Sequence, residues 1–370
     1  MTRGPVIVAA RRTPIGTSGR ELRDVTAADL AAAVLDVVAA EVGRPPAEVV
    51  LGNCMGPGGD VARVATLVAG LPRATPALTV DRQCASGLAA IEVAARLVTE
   101  DHWPVLAGGT ESASTAPWRF WPPVDGGEPE RYERAPFAPA PDDPEMGVAA
   151  DLLAARRGIS RERQDAYAAR SHRLATEARA RGDYADELVP VGGLEHDGRP
   201  RGGLSQQRLA RFPPAFGPQG TVTAGNSCGI NDGAAVVALV PDSAGARGLR
   251  VLGAASVGLD PNQPGLGIVP AARKALSQAG IGVDDLDVIE LNEAFAGQVL
   301  ACYDELGIDA ERGCRQGGAL ALGHPWGASG AVLMVRLHTQ LVRQGRGRYG
   351  LAAIAAGGGQ GTAIVVEACR

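Results

Sequence analysis

The feature that most limits what this chain can fold into is a repeat within it. Residues 29–53, DLAAAVLDVVAAEVGRPPAEVVLGN, read as an alanine-rich helix, a Gly/Pro break and an apolar strand ending in Asn53. Residues 269–292, VPAARKALSQAGIGVDDLDVIELN, repeat that plan and end in Asn292. A second pair follows in the same order: ASGLAAIEVAARLV from Ala85 and ASGAVLMVRLHTQLV from Ala328. Each leads to an apolar strand closed by glycines, VLAGG at 105–109 and AAIAAGGG at 352–359. The separations, 292 − 53 = 239 and 328 − 85 = 243, nearly agree. Two weak matches in one order at nearly one offset indicate duplication better than either does alone. Each half alternates helices with β-branched, mostly apolar strands, the pattern of a sheet covered by helices on both faces. A duplicated α/β fold is expected.

Composition narrows the function. With 45% hydrophobic and 21% charged residues in 370, disorder and fibrous architecture are excluded. The formal charge is −5 and Lys274 is the only lysine, so no general basic face offers itself to nucleic acid, although a local arginine cluster could hold a phosphate. The six cysteines (Cys54, Cys84, Cys228, Cys302, Cys314, Cys369) lack C-x-x-C spacing. Neither a metal site nor a disulfide framework is therefore expected, and reduced thiols in a cytoplasmic protein are. The apolar run between Met1 and Ala10 is short and no apolar stretch approaches the length of a membrane span, so export and membrane insertion are not expected.

Between the halves, residues 117–147 hold eight prolines and few aliphatics, which predicts an irregular surface loop. Helical text from Ala149 to Arg181 and a Gly/Arg/Pro-rich stretch at 192–220 follow. The expected division is residues 1–116 plus 230–250 for the N-terminal half, 117–229 for an inserted loop domain serving as a substrate cover, and 251–370 for the C-terminal half.

Two turns carry chemistry. Cys84, in DRQCASGLAAIEVAARLV, sits where the strand Ala77 to Val80 meets a helix apolar nearly all round. Backbone N–H groups and the positive end of the helix dipole favour a thiolate there, although a lone cysteine is commonly a small core residue. His324, in GGALALGHPWGASG, lies in the matching turn of the second half, where a strand is expected to pass through glycines and Pro325 into the next helix. The repeat would bring both turns to one end of the sheet, where ligands of doubly wound sheets collect. Cysteine and histidine from paired turns suggest an activated nucleophile; the plain alternative is a histidine capping a helix. Asn292 and Glu293 end the repeated strand at the same face, where such groups often hold loops together. Arg199, Arg201, Arg208 and Arg211 in the insertion could bind phosphate or form a solvated face.

DRQCASG, GTVTAGNSCGINDGAA, LNEAFAGQ, GGALALGHPWGASG and the closing AAGGGQG, with VAARRTPIG and SRERQDAYAARSH, together resemble the thiolase family in order and spacing across essentially the whole chain. The resemblance implies a duplicated five-layer α/β/α/β/α fold, acyl-CoA or another acyl thioester as substrate, no permanently bound cofactor, and a homodimer or homotetramer. It implies that Cys84 accepts the acyl group and that His324 activates it and polarises the incoming thioester oxygen. Asn292 would hold the water completing that oxyanion site, and the backbone N–H groups of Cys84 and Gly357 would form a second oxyanion hole. It also implies that Arg201 contacts coenzyme A and that Met146 and Phe216 line its pocket.

The sequence departs from the family pattern at functional positions. The second cysteine, an acid/base expected two residues before the first closing glycine, is replaced by Ala355. Cys228 stands where the family usually has serine near the pantetheine, Glu145 where a histidine often precedes the pocket methionine, and LGIVP at 266–270 lacks a usual glycine. Three readings follow. The chain is a C-acyltransferase in which Cys228 or His324 replaces the missing acid/base, or it passes the acyl group from Cys84 to an amine, alcohol, thiol or water, or it is a non-catalytic acyl-CoA-binding subunit.

Overall fold

A computed structural model describes residues 4–132 and 134–369, so the outermost residues of the expected halves, 1–3 and 370, lie outside the described residues. The strands are Val6–Arg12 (β1), Gly16–Thr17 (β2), Glu48–Gly52 (β3), Ala77–Val80 (β4), Val105–Ser112 (β5), Arg119–Trp121 (β6), Glu130–Tyr132 (β7), Asn231–Val240 (β8), Gly248–Gly258 (β9), Val288–Leu291 (β10), Tyr349–Ala356 (β11) and Gln360–Cys369 (β12). The helices are Ala27–Val42 (α1), Val61–Val68 (α2), Ser86–Leu97 (α3), Met146–Arg156 (α4), Arg161–Ala180 (α5), Gln206–Leu209 (α6), Ile268–Ala279 (α7), Ala296–Leu306 (α8), Ala319–Leu322 (α9) and Trp326–His338 (α10).

The strands run β10-β11-β12-β9-β1-β8-β5-β3-β4, with β2 beside β8. In the first half β4, β3 and β5 are parallel, and β8 and β1 are antiparallel additions. In the second half β10 and β11 are parallel, and β12 and β9 are the antiparallel additions. Among the described residues the half-sheets meet through the pairs Val6 with Arg250 and Ile7 with Leu249, with Val251 N–H donating to Pro5 O at 2.9 Å.

Side-chain alternation along the strands separates the layers. Val49 and Leu51 of β3 face α1 with Leu30, Val34 and Leu35, while Val50 faces the middle of the molecule. In β11, Leu351 and Ala353 face Ala271, Ala275 and Val299 of α7 and α8, while Ala352 and Ile354 face inward. The middle layer is α3 and α10, whose Leu88, Ile91, Met334 and Leu337 pack between both half-sheets. The result is the expected five-layer α/β/α/β/α fold.

Three local expectations need correction. The proline-rich segment 117–147 is not wholly irregular: β6 and β7 form a hairpin with Trp121 stacked on Tyr132 at 4.5 Å between ring centroids. The helical text 149–181 is two helices, broken at Gly158 with φ 64°. The segment before His324 is not a strand but α9, whose Leu320 N–H donates to the buried Glu293 carboxylate at 3.1 Å. No helix among the described residues is long and apolar enough to cross a membrane.

Candidate active site

The Cys84 turn is held by its own polar groups. Gln83 N–H donates to Asp81 at 2.7 Å, and Ser86 Oγ accepts from Arg82 N–H at 2.8 Å while donating to Gln83 O at 2.6 Å. These bonds keep Gln83 at φ 48°, a left-handed conformation that costs a non-glycine residue about 1–3 kcal/mol. The bend delivers Cys84 from the end of β4 to the start of α3. Arg82 ties the same turn to the second half by bonding Ser256 and, at 3.4 Å, Thr362. Thr362 follows Gly361, the residue paired with Ala355.

His324 reaches the same region because α3 and α10 cross at their first turns. A Cβ on Gly87 would lie 2.7 Å from Gly327 O, and one on Gly330 2.5 Å from Leu88 N. Only hydrogens fit there, so the two helix starts touch backbone to backbone. His324 is 2% exposed, and its N–H donates to Asn231 at 3.0 Å. Its Nδ1 is 2.5 Å from Ser329 Oγ, which lies 3.1 Å from Pro325 O. With the single Ser329 hydroxyl proton on Pro325 O, Nδ1 carries the imidazole proton and Nε2 keeps its lone pair. Burial lowers the His324 pKa to about 4, so the ring is a neutral base at pH 7.

The expectation of a stabilised thiolate at rest is not met. Burial pushes the Cys84 thiol up to about 12, with Cys228, Glu111 and Asp81 acting in the same direction and a backbone N–H offsetting part. Desolvation outweighs the helix terminus, so Cys84 rests as a protonated thiol.

Asn292 and Glu293 divide the labour. Glu293 is fully buried and accepts from Tyr167 at 2.9 Å, Ser171 at 2.7 Å and Leu320 N–H, fixing α5 and α9 around the segment that leads to His324. The Asn292 side chain makes no hydrogen bond to another described residue and lines a small cavity with Ser329 and Gly323.

Several neighbouring groups are not legible in the sequence. Ser329 was visible only as the serine of PWGASG, one helical turn beyond His324. Glu111, buried at the end of β5, accepts from Asn53 Nδ2 and the N–H groups of Cys54 and Met55, all at 3.1 Å, and from Gly327 N–H at 3.0 Å. It thereby ties the start of α10 to the turn after β3. Phe137 covers Gly357, where a Cβ would meet its ring at 2.3 Å. No sequence signal pointed to either of these two.

The remaining candidates form two groups. Cys228 N–H donates to Ala294 O at 2.9 Å, and its thiol is also raised to about 12 by burial, with Arg199 opposing. Arg201 is exposed, and its N–H donates to His172 Nδ1 at 3.3 Å. Met146 opens α4; the next residue, Gly147, lies under the Phe216 ring, which meets Phe295 edge-on at 6.2 Å. Among the described residues no cluster of three His, Cys, Asp or Glu could hold a metal.

The Cys84 and His324 turns thus belong to two helix starts that meet between the half-sheets of a duplicated fold. Residues 5–243 match the family described as thiolase, N-terminal domain, and residues 248–368 match thiolase, C-terminal domain. The chain is 41% identical over 387 residues to an acetyl-CoA acetyltransferase of Chromobacterium violaceum, covering 98% of each protein. It is 42% identical over 415 residues to a beta-ketoadipyl-CoA thiolase of Pseudomonas aeruginosa, covering 99% of this chain and 100% of the relative. The crystal structure of human mitochondrial 3-ketoacyl-CoA thiolase in complex with CoA is similar with a TM-score of 0.93 at 34% identity, over 100% of this chain and 98% of that one. The chain belongs to the thiolase family and is an acyltransferase.

Proposed function

We propose that the protein transfers acyl groups through an acyl-Cys84 thioester and makes or cleaves a 3-oxoacyl thioester of coenzyme A. The observation that carries this is the backbone crossing of α3 and α10, which sets the Cys84 and His324 turns at one end of the two half-sheets. His324, neutral and with Nε2 unprotonated, takes the Cys84 proton as sulfur attacks the thioester carbonyl. The unengaged Asn292 amide holds a water toward the substrate oxygen, and the N–H groups of Cys84 and Gly357 stabilise the oxyanion of the acyl-enzyme. Residues 117–229 cover coenzyme A, with Arg201 toward a phosphate and Met146 and Phe216 along the pantetheine. The relatives named for acetyl-CoA acetyl transfer and beta-ketoadipyl-CoA thiolysis support acyl-CoA as substrate.

Residue 355 favours a second reading. Ala355, partly buried and paired with Gly361, stands where the family's acid/base cysteine is expected, and alanine moves no proton. Acyl transfer from Cys84 to an amine, alcohol, thiol or water needs no α-proton transfer and survives that replacement. Incubation with acyl-CoA followed by intact-protein mass tests the acyl-enzyme, which must appear in the parent and not in Cys84→Ala. Cleavage of acetoacetyl-CoA then separates the readings: turnover supports carbon–carbon chemistry, and acylation without turnover supports another acceptor.

A further inference from the structure

Arg199 is the unusual group near this site. It lies largely inside the protein, and the charged or ionisable groups facing it are Cys228, Arg201 and His172; no carboxylate pairs with it among the described residues. Its guanidinium is wrapped around the turn that holds Cys228. Nη2 donates to Ser227 O at 3.3 Å, Nε to Leu320 O at 3.4 Å, and a Cβ on Gly229 would be 2.4 Å from Nη1. A cation withdrawn from water without an anion is costly, and surrounding carbonyls compensate only partly. His172, lowered to about 4 by burial and by Arg199 and Arg201, adds no charge at neutral pH. The one group beside Arg199 that can supply a negative charge is the Cys228 thiol. Cys228 in turn faces Arg199, Cys84 and Glu293, so among the described residues Arg199 is the cation acting on it.

We infer that Arg199 is the positioning residue that stabilises the Cys228 thiolate, which makes Cys228 the proton carrier that Ala355 cannot be. The inference rests on the carbon–carbon reading above. In cleavage, Cys84 gives its proton to His324 and attacks C3 of the 3-oxoacyl thioester. The C2–C3 bond breaks and its electron pair passes to C2 as the enolate of acetyl-CoA. The Cys228 S–H bond breaks as a C2–H bond forms, leaving the negative charge on Cys228 sulfur against Arg199. The proton that His324 took from Cys84 then passes to Cys228, and acetyl-CoA leaves. Coenzyme A thiol next gives its proton to His324 and attacks the acyl group, and departing Cys84 recovers that proton. Condensation runs the same steps backwards. Burial keeps the resting Cys228 protonated, so it starts in the donor state that cleavage requires.

The test measures Cys228 directly. Alkylation of the full-length protein by iodoacetamide at a fixed pH near 8.5, resolved peptide by peptide, reports the thiolate fraction of Cys228 separately from turnover. Arg199→Gln should slow Cys228 alkylation about tenfold, the equivalent of about one pH unit in its ionisation. Arg199→Lys should recover much of that rate, which also guards against a misfolded glutamine variant. Acetoacetyl-CoA cleavage should fall by at least tenfold in Arg199→Gln while acylation of Cys84 by acyl-CoA persists. An unchanged rate of Cys228 alkylation overturns the inference, as does slowed alkylation with unchanged cleavage. Failure of Cys84 to acylate in the parent overturns the proposed function instead.

Discussion

The two halves share one plan and use it differently. The first half completes its sheet with β4, which runs parallel to β3 and leads into the bent turn of Cys84. The second half has no equivalent strand among the described residues. A single bridge, Ile289 with Gly313, marks its place, and α9 fills the space before His324. The matching asparagines diverge in the same way. Asn53 is fully engaged: Nδ2 donates to Thr110 O at 3.0 Å and to Glu111, and Oδ1 accepts from Gly56 N–H at 3.0 Å. Asn292 leaves its amide unused by described residues, while the adjacent Glu293 does the bracing. Duplication thus supplied two similar strand ends, of which one became scaffold and the other kept free hydrogen-bonding capacity.

The largest effect should come from the first half. Cys84→Ala should remove the single acyl mass and abolish turnover, because Cys84 stands on the bend between β4 and α3, whereas the neighbouring Cys54 thiol is engaged by Gln83 O at 2.9 Å. Acylation that survives in this variant breaks the assignment of the nucleophile to the first half.

The asparagine pair gives the next effect and sharpens the comparison. Asn292→Ala should lower kcat by about 10²- to 10³-fold, the usual cost of losing an oxyanion donor, with little change in Tm. Asn53→Ala should do the reverse: it strips the buried Glu111 of one donor and should cost about 1–3 kcal/mol of stability in chemical denaturation. Equal kinetic damage from both variants would show that the halves are not divided as described.

What was legible in the sequence follows the same division. The repeat was readable because strands buried on both faces spell themselves in apolar residues and glycine ends, as in VVLGN and VIELN. The turns of Cys84 and His324 were readable because each is a short glycine-bearing motif. The loss of the fifth strand was not, since ALAL reads equally as strand or helix and the choice rests on Glu293 and Ser171 holding the preceding loop. Glu111 was not legible either. Its partners Asn53 and Gly327 are 58 and 216 residues away, and no local pattern announces such a network. The thiol of Cys84 was misjudged because a helix start is visible in sequence and the depth of burial around it is not.

Ser329 belongs to the second half alone in function, although the repeat places Ser86 opposite it. Ser86 braces the Cys84 turn through backbone groups, whereas Ser329 bonds the imidazole. Ser329→Ala should reduce kcat by at least about tenfold, less than the 10²- to 10⁴-fold expected for removing the base itself. The Ser329 oxygen also stabilises the imidazolium, so its loss should move the acid limb of the kcat/KM profile to lower pH. An acid limb that stays in place would show that Ser329 does not set the His324 proton.

The smallest effect concerns His338, which stands on α10 where the repeat gives α3 an alanine, Ala95. His338 is buried, neither ring nitrogen has a hydrogen-bond partner among the described residues, and burial with Arg343 and Arg11 lowers its pKa to about 3. Its folded pKa lies below that of an unfolded imidazole, so the unfolded chain binds the extra proton. The resulting penalty is absent above about pH 6.5 and grows as pH falls toward the folded value. At pH 5 this amounts to about 1–2 kcal/mol after allowance for relaxation of the buried site. His172 and His324 are lowered by burial too, so the parent should lose stability steadily from pH 7 to pH 4.5. His338→Ala, which copies the first-half residue, leaves a small cavity and should be less stable than the parent at pH 7. The deficit should narrow or reverse by pH 5. Denaturant midpoints measured at both pH values check this, and a deficit that stays constant would show that His338 is not titrating between the folded and unfolded states.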